Sequence, residues 1–375
     1  MLTLPNALQK AITAALRDVP RSQWLGAAQR VSERYRGTRP ASTATPLVTG
    51  PHEALGYAAL ILPATYAQLW GAMAATAARI PSWQPTSMLD LGSGPGTALW
   101  AALEHWPSLI QLEAWEREPA LLALGQGLAA SGAAPLQSAR WQRHDLRSMP
   151  SNPHTRYDLV VLGHVLNELD AESRASIIAA AWAYTRGVLL IVEPGTSSAF
   201  PIVRAARTAL LQAGGYTIAP CPHDMPCPLV DDWCHFPQRL QRPAFQKDAR
   251  EAPSAWEDAK FSYAAMARFA TERAISARVI REPSFNKAYA EVLLCRRNGV
   301  APLRVLKRER EAFRQIKALE WGEAISDEIA DTRQQTRKGA EGIEAVSYTH
   351  LFPSRNRHHY NALKAPHNMV QSVKL

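Results

Sequence analysis

The spacing of apolar residues changes along this chain. Residues 1 to about 82 are rich in Ala and Leu, with few strand-like runs. Glu53 to Ala78 repeats its apolar positions with a helical period, and Pro63 inside it marks a break or kink. This part reads as a helical N-terminal domain or lid, residues 1–82. From Ser87 the runs become short and unbroken. Ser87 to Leu91 reads as a strand that ends at a Gly-rich loop, and a helix follows from Thr97 to His105. Leu109 to Trp115 is a second strand, Pro119 to Ala130 a helix, and Ala139 to Gln142 a weaker third strand. Tyr157 to Leu162 and Gly187 to Val192 are continuous apolar runs, as strands covered on both faces must be. Ala171 to Tyr184 and Phe200 to Gln212 are the intervening helices. Strands alternating with helices predict an α/β, parallel, doubly wound sheet.

The alternation stops after Gly214 and Gly215. Residues 216–276 are rich in Pro, Cys, His, Trp and Arg and read as a cysteine-rich insertion. Ala277 to Arg281 and Ala288 to Cys295 form a hairpin that closes the domain, residues 83–299. Residues 300–326 read as a basic helical extension. From 327 to 375 the chain is polar and aperiodic. Within it, Val346 to Leu351 resembles translated sequencing-adapter sequence, so roughly the last 30 residues are set aside.

Composition narrows the partners. The chain has 375 residues, 47% hydrophobic and 20% charged, which suits one large or two moderate folded domains rather than a disordered chain. The net charge of +9 favours an acidic partner such as nucleic acid. Much of it is local: Arg296, Arg297, Arg304, Lys307, Arg308, Arg310, Arg314 and Lys317 face only Glu309 and Glu311 in that stretch. Arg239, Arg242 and Lys260 are further candidates for phosphate contact. No run of 18 apolar residues exists, and the first 21 residues lack a secretory core, so no membrane role is expected. A cytoplasmic chain, monomeric when free, is the expectation.

Chemistry concentrates at two places. Asp90-Leu91-Gly92-Ser93-Gly94-Pro95-Gly96 links a strand to a helix, and its glycines allow positive φ and close approach of a ligand. The G-x-G-x-G spacing differs from the dinucleotide G-x-G-x-x-G and resembles motif I of class I S-adenosylmethionine-dependent methyltransferases. Glu116, after the second strand, is placed for the ribose hydroxyls. Asp145, after the third, is placed for the adenine amino group. His164 and Asn167, in His164-Val165-Leu166-Asn167-Glu168-Leu169, are catalytic candidates at the carboxyl end of the fourth strand. They either orient a substrate or cap the next helix. Glu193 to Thr196 has the same two readings. The Asn-Pro-Pro-Tyr signature of amino-methylating enzymes is absent.

The second place holds the cysteines: Cys221, Cys227, Cys234 and Cys295. Four are too few for a disulfide scaffold in a chain of this length. Four thiolates can complete a [4Fe–4S] cluster or a zinc site, with His223 and His235 as further zinc ligands. Spacing does not choose between them. A nucleophilic cysteine in Pro220-Cys221 or Pro226-Cys227 is disfavoured, because both pairs lie well past the fourth and fifth strands.

Several segments together resemble the mitochondrial small-ribosomal-subunit Rsm twenty-two family, also called methyltransferase-like protein seventeen, and its bacterial relatives. They are LDLGSGPGTALWAA (89–102), HVLNEL (164–169), EPGT (193–196), APCPHDMPCPL (219–229), DWCHFPQR (232–239), EDAKFSY (257–263) and LKREREAFRQIKALEWGEA (306–324). The resemblance implies a class I methyltransferase-like fold that binds S-adenosylmethionine and acts on the small ribosomal subunit or its rRNA. It implies a [4Fe–4S] cluster on Cys221, Cys227, Cys234 and Cys295, and leaves open whether methyl transfer occurs. The implied compartment is the bacterial cytoplasm, or the mitochondrial matrix in a eukaryote. Helix Phe200 to Gln212 should run back from the carboxyl edge of the sheet and deliver Cys221 to the opposite edge. The hairpin should bring Cys295 to the same edge, making the cluster a clasp remote from the cofactor.

Overall fold

A computed structural model describes residues 1–36, 47–251, 253–272 and 274–325. The aperiodic tail lies outside the described residues. Four helices come first: α1 (Asn6–Arg17), α2 (Arg21–Arg36), α3 (Pro51–Leu60) and α4 (Leu62–Ala77). The break at Ile61 bends α3 against α4 by 54°. Pro63 explains it: the ring removes a helical N–H and would collide with the carbonyl four residues earlier. No single described helix is long and apolar enough to cross a membrane.

The alternating part contains β1 (Ser87–Leu91), α5 (Thr97–His105), β2 (Gln111–Glu116), α6 (Pro119–Ala129), α7 (Ala134–Gln137), β3 (Arg140–Arg143) and β4 (Tyr157–Gly163). It continues through α8 (Ala171–Tyr184), β5 (Thr185–Pro194), α9 (Phe200–Gln212), β6 (Tyr216–Ala219), β7 (Phe236–Gln241), α10 (Ala244–Arg250) and β8 (Trp256–Ala267). The strand order is β3-β2-β1-β4-β5-β8-β6, with β7 also paired to β8. Strands β1 to β5 pair in parallel, and β8 is antiparallel to both β5 and β6. Along this path six strands run one way and the one before the last is reversed, the class I methyltransferase arrangement, with β7 a further strand of the common direction.

Both faces of the sheet are covered, which is why its strands are unbroken apolar runs. Met88, Leu159, Val161, Leu190 and Val192 pack with Leu62, Tyr66, Leu69 and Met73 of α4 on one face. Leu89, Leu91, Val160, Leu162 and Ile191 pack with Ile177, Trp182, Val203 and Leu210 of α8 and α9 on the other.

Three expectations need correction. First, the alternation does not stop at Gly215. Strands β6 and β8 are integral to the main sheet, so residues 216–276 are not a separate insertion. The cysteine-bearing loop between β6 and β7 spans only 220–235. Second, the hairpin does not close this sheet. Strands β9 (Ala277–Val279), β10 (Ser284–Phe285), β11 (Tyr289–Arg296), β12 (Gly299–Leu306) and β13 (Ala324–Ile325) form a second, five-stranded sheet. Strands β9 and β11 do pair, with Cys295 opposite Arg278. Third, residues 299–306 are a strand rather than part of a helical extension. Only α11 (Arg310–Ala318) is helical there, with Ile316 packed under the second sheet beside Val292 and Leu294.

The N-terminal helices are pinned by one acid. Glu53 of α3 is buried, pairs with Arg34 of α2, and accepts from the Thr49 N–H at 2.9 Å and its hydroxyl at 2.8 Å. The Arg34 hydrogen bond holds its carboxyl down at about 2, assisted by Thr49 and opposed by burial. A carboxylate depressed in the folded state contributes stability above its unfolded value, and that stability is lost as pH falls toward the folded value. Glu53→Gln is therefore expected to cost on the order of 2–3 kcal/mol at pH 7. The gap to wild type should close between about pH 4.5 and 2. Urea melts at pH 7, 5, 4 and 3 check this; a gap that does not change with pH would contradict it.

Candidate functional site

The glycine loop takes the conformation its composition allows. Gly92, Gly94 and Gly96 have φ of 71°, 54° and 76°, which L side chains rarely adopt. The N–H groups of Gly92 and Ser93 donate to the Trp115 carbonyl at 2.8 and 3.0 Å, tying the loop to the end of β2. The Gly94 N–H donates to Glu116 Oε2 at 2.7 Å, and the Glu118 N–H to Glu116 Oε1 at 2.8 Å. Contact around Gly92 is tight: a β-carbon there would lie 2.5 Å from Val165 Cγ2 and 3.6 Å from Leu146 Cδ1. The loops after β4 and β3 thus close against this one.

Two acids lie beneath the loop. Asp90 is 2% exposed, its Oδ2 has no hydrogen-bond partner, and burial, then Glu116, pushes its carboxyl up to about 8. Burial also raises Glu116, opposed by the Glu118 and Gly94 N–H groups. Asp145 follows His144, whose N–H donates to the Glu116 carbonyl at 3.1 Å. Its Oδ1 accepts the Arg147 N–H at 3.0 Å and its side chain is half exposed, so it caps the short turn at 146–148.

Tyr57 of α3 completes the surroundings, and nothing in the sequence signals it. Its hydroxyl would be 3.9 Å from a β-carbon at Gly94. The phenol is held neutral, above the usual range, by burial first and then by the nearby carboxylates Glu168, Glu116 and Asp90.

At the carboxyl end of β4, His164 adopts φ 62° and its N–H donates to the Val192 carbonyl at 2.8 Å. Its Nε2 is buried without a partner, and burial lowers the ring to about 4, so it is a neutral base at pH 7. Asn167 is exposed. Neither caps α8: that role belongs to Asp170, whose Oδ1 accepts the Ser173 N–H at 2.8 Å. Glu193 is fully buried, accepts the Leu166 N–H at 2.8 Å, and is raised to about 8 by burial, so it clamps this loop from β5.

The four cysteines form a second corner. Strand β6 carries Cys221 to the carboxyl edge of the sheet, the same edge as the glycine loop. The expectation of the opposite edge fails because β6, which reverses the direction of α9, is too short to stand out in the sequence. The two places are separated sideways instead. Three to four strand spacings separate β1 from the β8–β6 end, on the order of 14–19 Å at the usual spacing. The Cys234 carbonyl accepts the Ser262 hydroxyl of β8 at 2.7 Å, and Trp233 Nε1 donates to the Gly195 carbonyl at 3.1 Å. Cys295 arrives from β11, buried, with its Sγ 4.0 Å from His223 Nε2. Cys227, Cys234 and Cys295 pack in one cluster with Phe200, Leu229 and Ile280. The thiols act on one another. Burial, then Cys221, Cys295 and Cys227, pushes Cys234 well above the ordinary range, and burial with Cys221 and Cys227 pushes Cys295 up to about 12. Among the described residues no group of three or more His, Cys, Asp or Glu is arranged to hold a metal ion.

Residues 51–326 match the family profile described as mitochondrial small ribosomal subunit Rsm22. The chain belongs to the Rsm22 family. It is 28% identical over 287 residues to the human ribosome assembly protein METTL17, mitochondrial, covering 72% of this chain and 62% of that protein. It is 26% identical over 202 residues to the Rsm22-cox11 tandem protein 2, mitochondrial, of Schizosaccharomyces pombe, covering 49% of this chain and 26% of that one. The chain thus spans about three-fifths of the first relative and about a quarter of the second. Among solved structures, magnesium protoporphyrin IX methyltransferase from Synechocystis PCC 6803 with bound S-adenosylmethionine is 11% identical, with a TM-score of 0.38 over 66% of this chain and 95% of that one. The amino pentose methyltransferase CalS10 from Micromonospora echinaspora is 16% identical, with a TM-score of 0.27 over 64% and 75%. These likenesses are slight, and the fold rests on the strand order.

Proposed function

We propose that this Rsm22-family protein binds S-adenosylmethionine at the glycine loop, carries an iron–sulfur cluster on its four cysteines, and assists assembly of the small ribosomal subunit by holding its rRNA. The family match carries the ribosomal part, together with the human relative named as a ribosome assembly protein. In this reading Asp90, Gly92, Gly94, Gly96 and Glu116 hold the cofactor, and Asp145 meets the adenine from the rim. The protein is monomeric when free and works in the mitochondrial matrix of a eukaryote or the cytoplasm of a bacterium.

The cluster reading is supported by the donor set. Three thiols of one loop and a fourth brought by β11 meet in one corner, and two buried arginines there leave N–H groups without partners. A single zinc ion binds sulfur at about 2.3 Å and would draw its ligands almost into contact. A four-iron cluster is larger and keeps its thiolates further apart.

rRNA methylation is the second reading, favoured by the neutral, partnerless His164 Nε2 at the carboxyl edge. Labelled methyl transfer to immature small subunits separates the two. Binding of the subunit and of S-adenosylmethionine without transfer is the expected result. Transfer that disappears in Gly94→Arg would establish the methylation reading instead.

The rRNA contact has its own test. Arg297, Lys307, Arg308 and Arg310 are exposed and, among the described residues, make no ion pair, whereas Arg304 is held by Glu291 and Arg314 by Glu311. Arg239 and Arg242 are likewise engaged, by Asp258 and Glu257. Lys307, Arg308 and Arg310 gather at the positive end of α11, a place that suits phosphate better than another cation. Neutralising these four residues should weaken binding to small-subunit rRNA and make log K against log salt shallower by about 3. An unchanged slope would remove this surface from the interface.

A further inference from the structure

We propose that Arg207 and Arg278 are the built-in counter-charges of the four-cysteine corner, each directing an uncommitted N–H at the anion that the thiolates hold. The proposal rests on the cluster reading and assigns two further residues to it.

Both guanidiniums are almost wholly buried, at 4% and 3% exposure. Each is fastened to the loop that carries the cysteines. Arg207 of α9 donates from Nη1 to the Met225 carbonyl at 3.1 Å and from Nη2 to the His223 carbonyl at 2.5 Å. Arg278 of β9 donates from Nε to the Pro220 carbonyl at 2.8 Å and from Nη1 to the Gly322 carbonyl at 2.8 Å. The Pro220 and His223 carbonyls flank Cys221, and the Met225 carbonyl precedes Cys227. Arg278 also stands directly opposite Cys295 across the β9–β11 ladder, so the two side chains share a face. Both arginines act electrostatically on Cys221 and Cys295.

What remains unexplained is the rest of each fork. Arg207 Nε and Arg278 Nη2 are buried and have no hydrogen-bond partner. A guanidinium stays charged in any protein, and a buried charged donor with no acceptor is among the more costly defects a fold can carry. Asp224, the acid that shares this corner, accepts the Thr217 N–H at 2.8 Å and is faced by a third buried arginine, Arg79, so that this acid and this arginine offset each other and leave Arg207 and Arg278 in excess. Two cations beside four protonated thiols are an imbalance. The same two cations beside a cluster ligated by four thiolates, which is doubly negative when oxidised, are a balance. Donors aimed at ligand sulfur also tune a cluster's potential, because one-electron reduction adds a further negative charge that nearby positive charge stabilises.

The test uses the full chain purified anaerobically, with iron content measured first. Optical redox titration against dithionite then compares wild type with Arg207→Gln, Arg278→Gln, Arg207→Lys and Arg278→Lys. Arg204→Gln serves as a control on the same helix, since Arg204 bonds the Leu229 carbonyl instead. The Gln variants, which lose the charge, are expected to take a more negative midpoint or to lose iron. The Lys variants should remain close to wild type, and the control should not move. Gln variants that keep both iron and midpoint overturn the proposal. So does equal loss of iron in Gln and Lys variants, because packing alone would then account for the arginines. A wild-type chain with zinc or no metal overturns the cluster reading itself, and the iron assay shows that before any titration.

Discussion

Cys295→Ser is expected to abolish iron binding, taking an anaerobic preparation from about four irons per chain to less than one and from brown to colourless. Cys295 is the most isolated of the four in sequence and the best buried, at 8% exposure. It is supplied by the second sheet, whereas the other three come from the 220–235 loop. Its loss leaves that loop with three ligands and disconnects the loop from β11. Because metal binding is coupled to the folding of its site, the effect should reach beyond colour. Proteolysis should become faster within 220–235 and in the second sheet, while the parallel strands stay protected. Iron retained at wild-type level in Cys295→Ser would exclude this cysteine as a ligand. Zinc in place of iron in the wild-type protein would exclude the cluster.

A comparably large effect is expected at the glycine loop. Gly92→Val forces a β-branched residue to φ 71° and drives its β-carbon to within 2.5 Å of Val165. The left-handed conformation costs about 1–2 kcal/mol and the overpacking about 1–3 kcal/mol, with no easy relief because Leu146 lies on the same side. Affinity for S-adenosylmethionine should fall by at least about 100-fold, the equivalent of roughly 3 kcal/mol. The comparison that isolates the cause is Gly127→Ala. Gly127 is exposed in α6 with nothing within 4 Å of its would-be β-carbon, so alanine there should stabilise by about 0.5–1 kcal/mol. Calorimetric titration of both variants decides the matter. Wild-type affinity in Gly92→Val would mean that the loop does not cradle the ligand.

The parts of the fold legible in the sequence are those whose burial leaves a one-dimensional trace. Tyr157 to Leu162 and Gly187 to Val192 announce themselves because both faces are covered and no polar residue interrupts them. Strand β8 left no such trace. Its buried half, Phe261 to Ala267, has two strand formers, Phe261 and Tyr263, but the other five residues are Ser, Ala and Met, with little strand preference, and α4 and α9 pack against it. Without β8 the Cys-rich stretch reads as an insertion, and without the four-residue β6 Cys221 reads as lying at the opposite edge. At the candidate site, the spacing of Gly92, Gly94 and Gly96 foretells their positive φ. Tyr57 is not foretold, since it precedes Asp90 by 33 residues and reaches the loop only through the bend at Ile61. Arg207 was hidden for another reason: an arginine in an amphipathic helix reads as solvent-facing until its neighbours are known.

The reversed strand also constrains the order of events during synthesis. Strand β6 cannot join the sheet beside β5, because β8 occupies the position between them. Until residue 267 has left the ribosome, β6 and the loop holding Cys221, Cys227 and Cys234 have no edge to dock against. Cys295 emerges later still, 74 residues after Cys221. At about 5–20 residues per second, three thiols wait several seconds for the fourth. On the proposed cluster reading, metal delivery would be a closing step of biogenesis, and a nascent chain short of iron would be caught with its sheet complete and its last corner open.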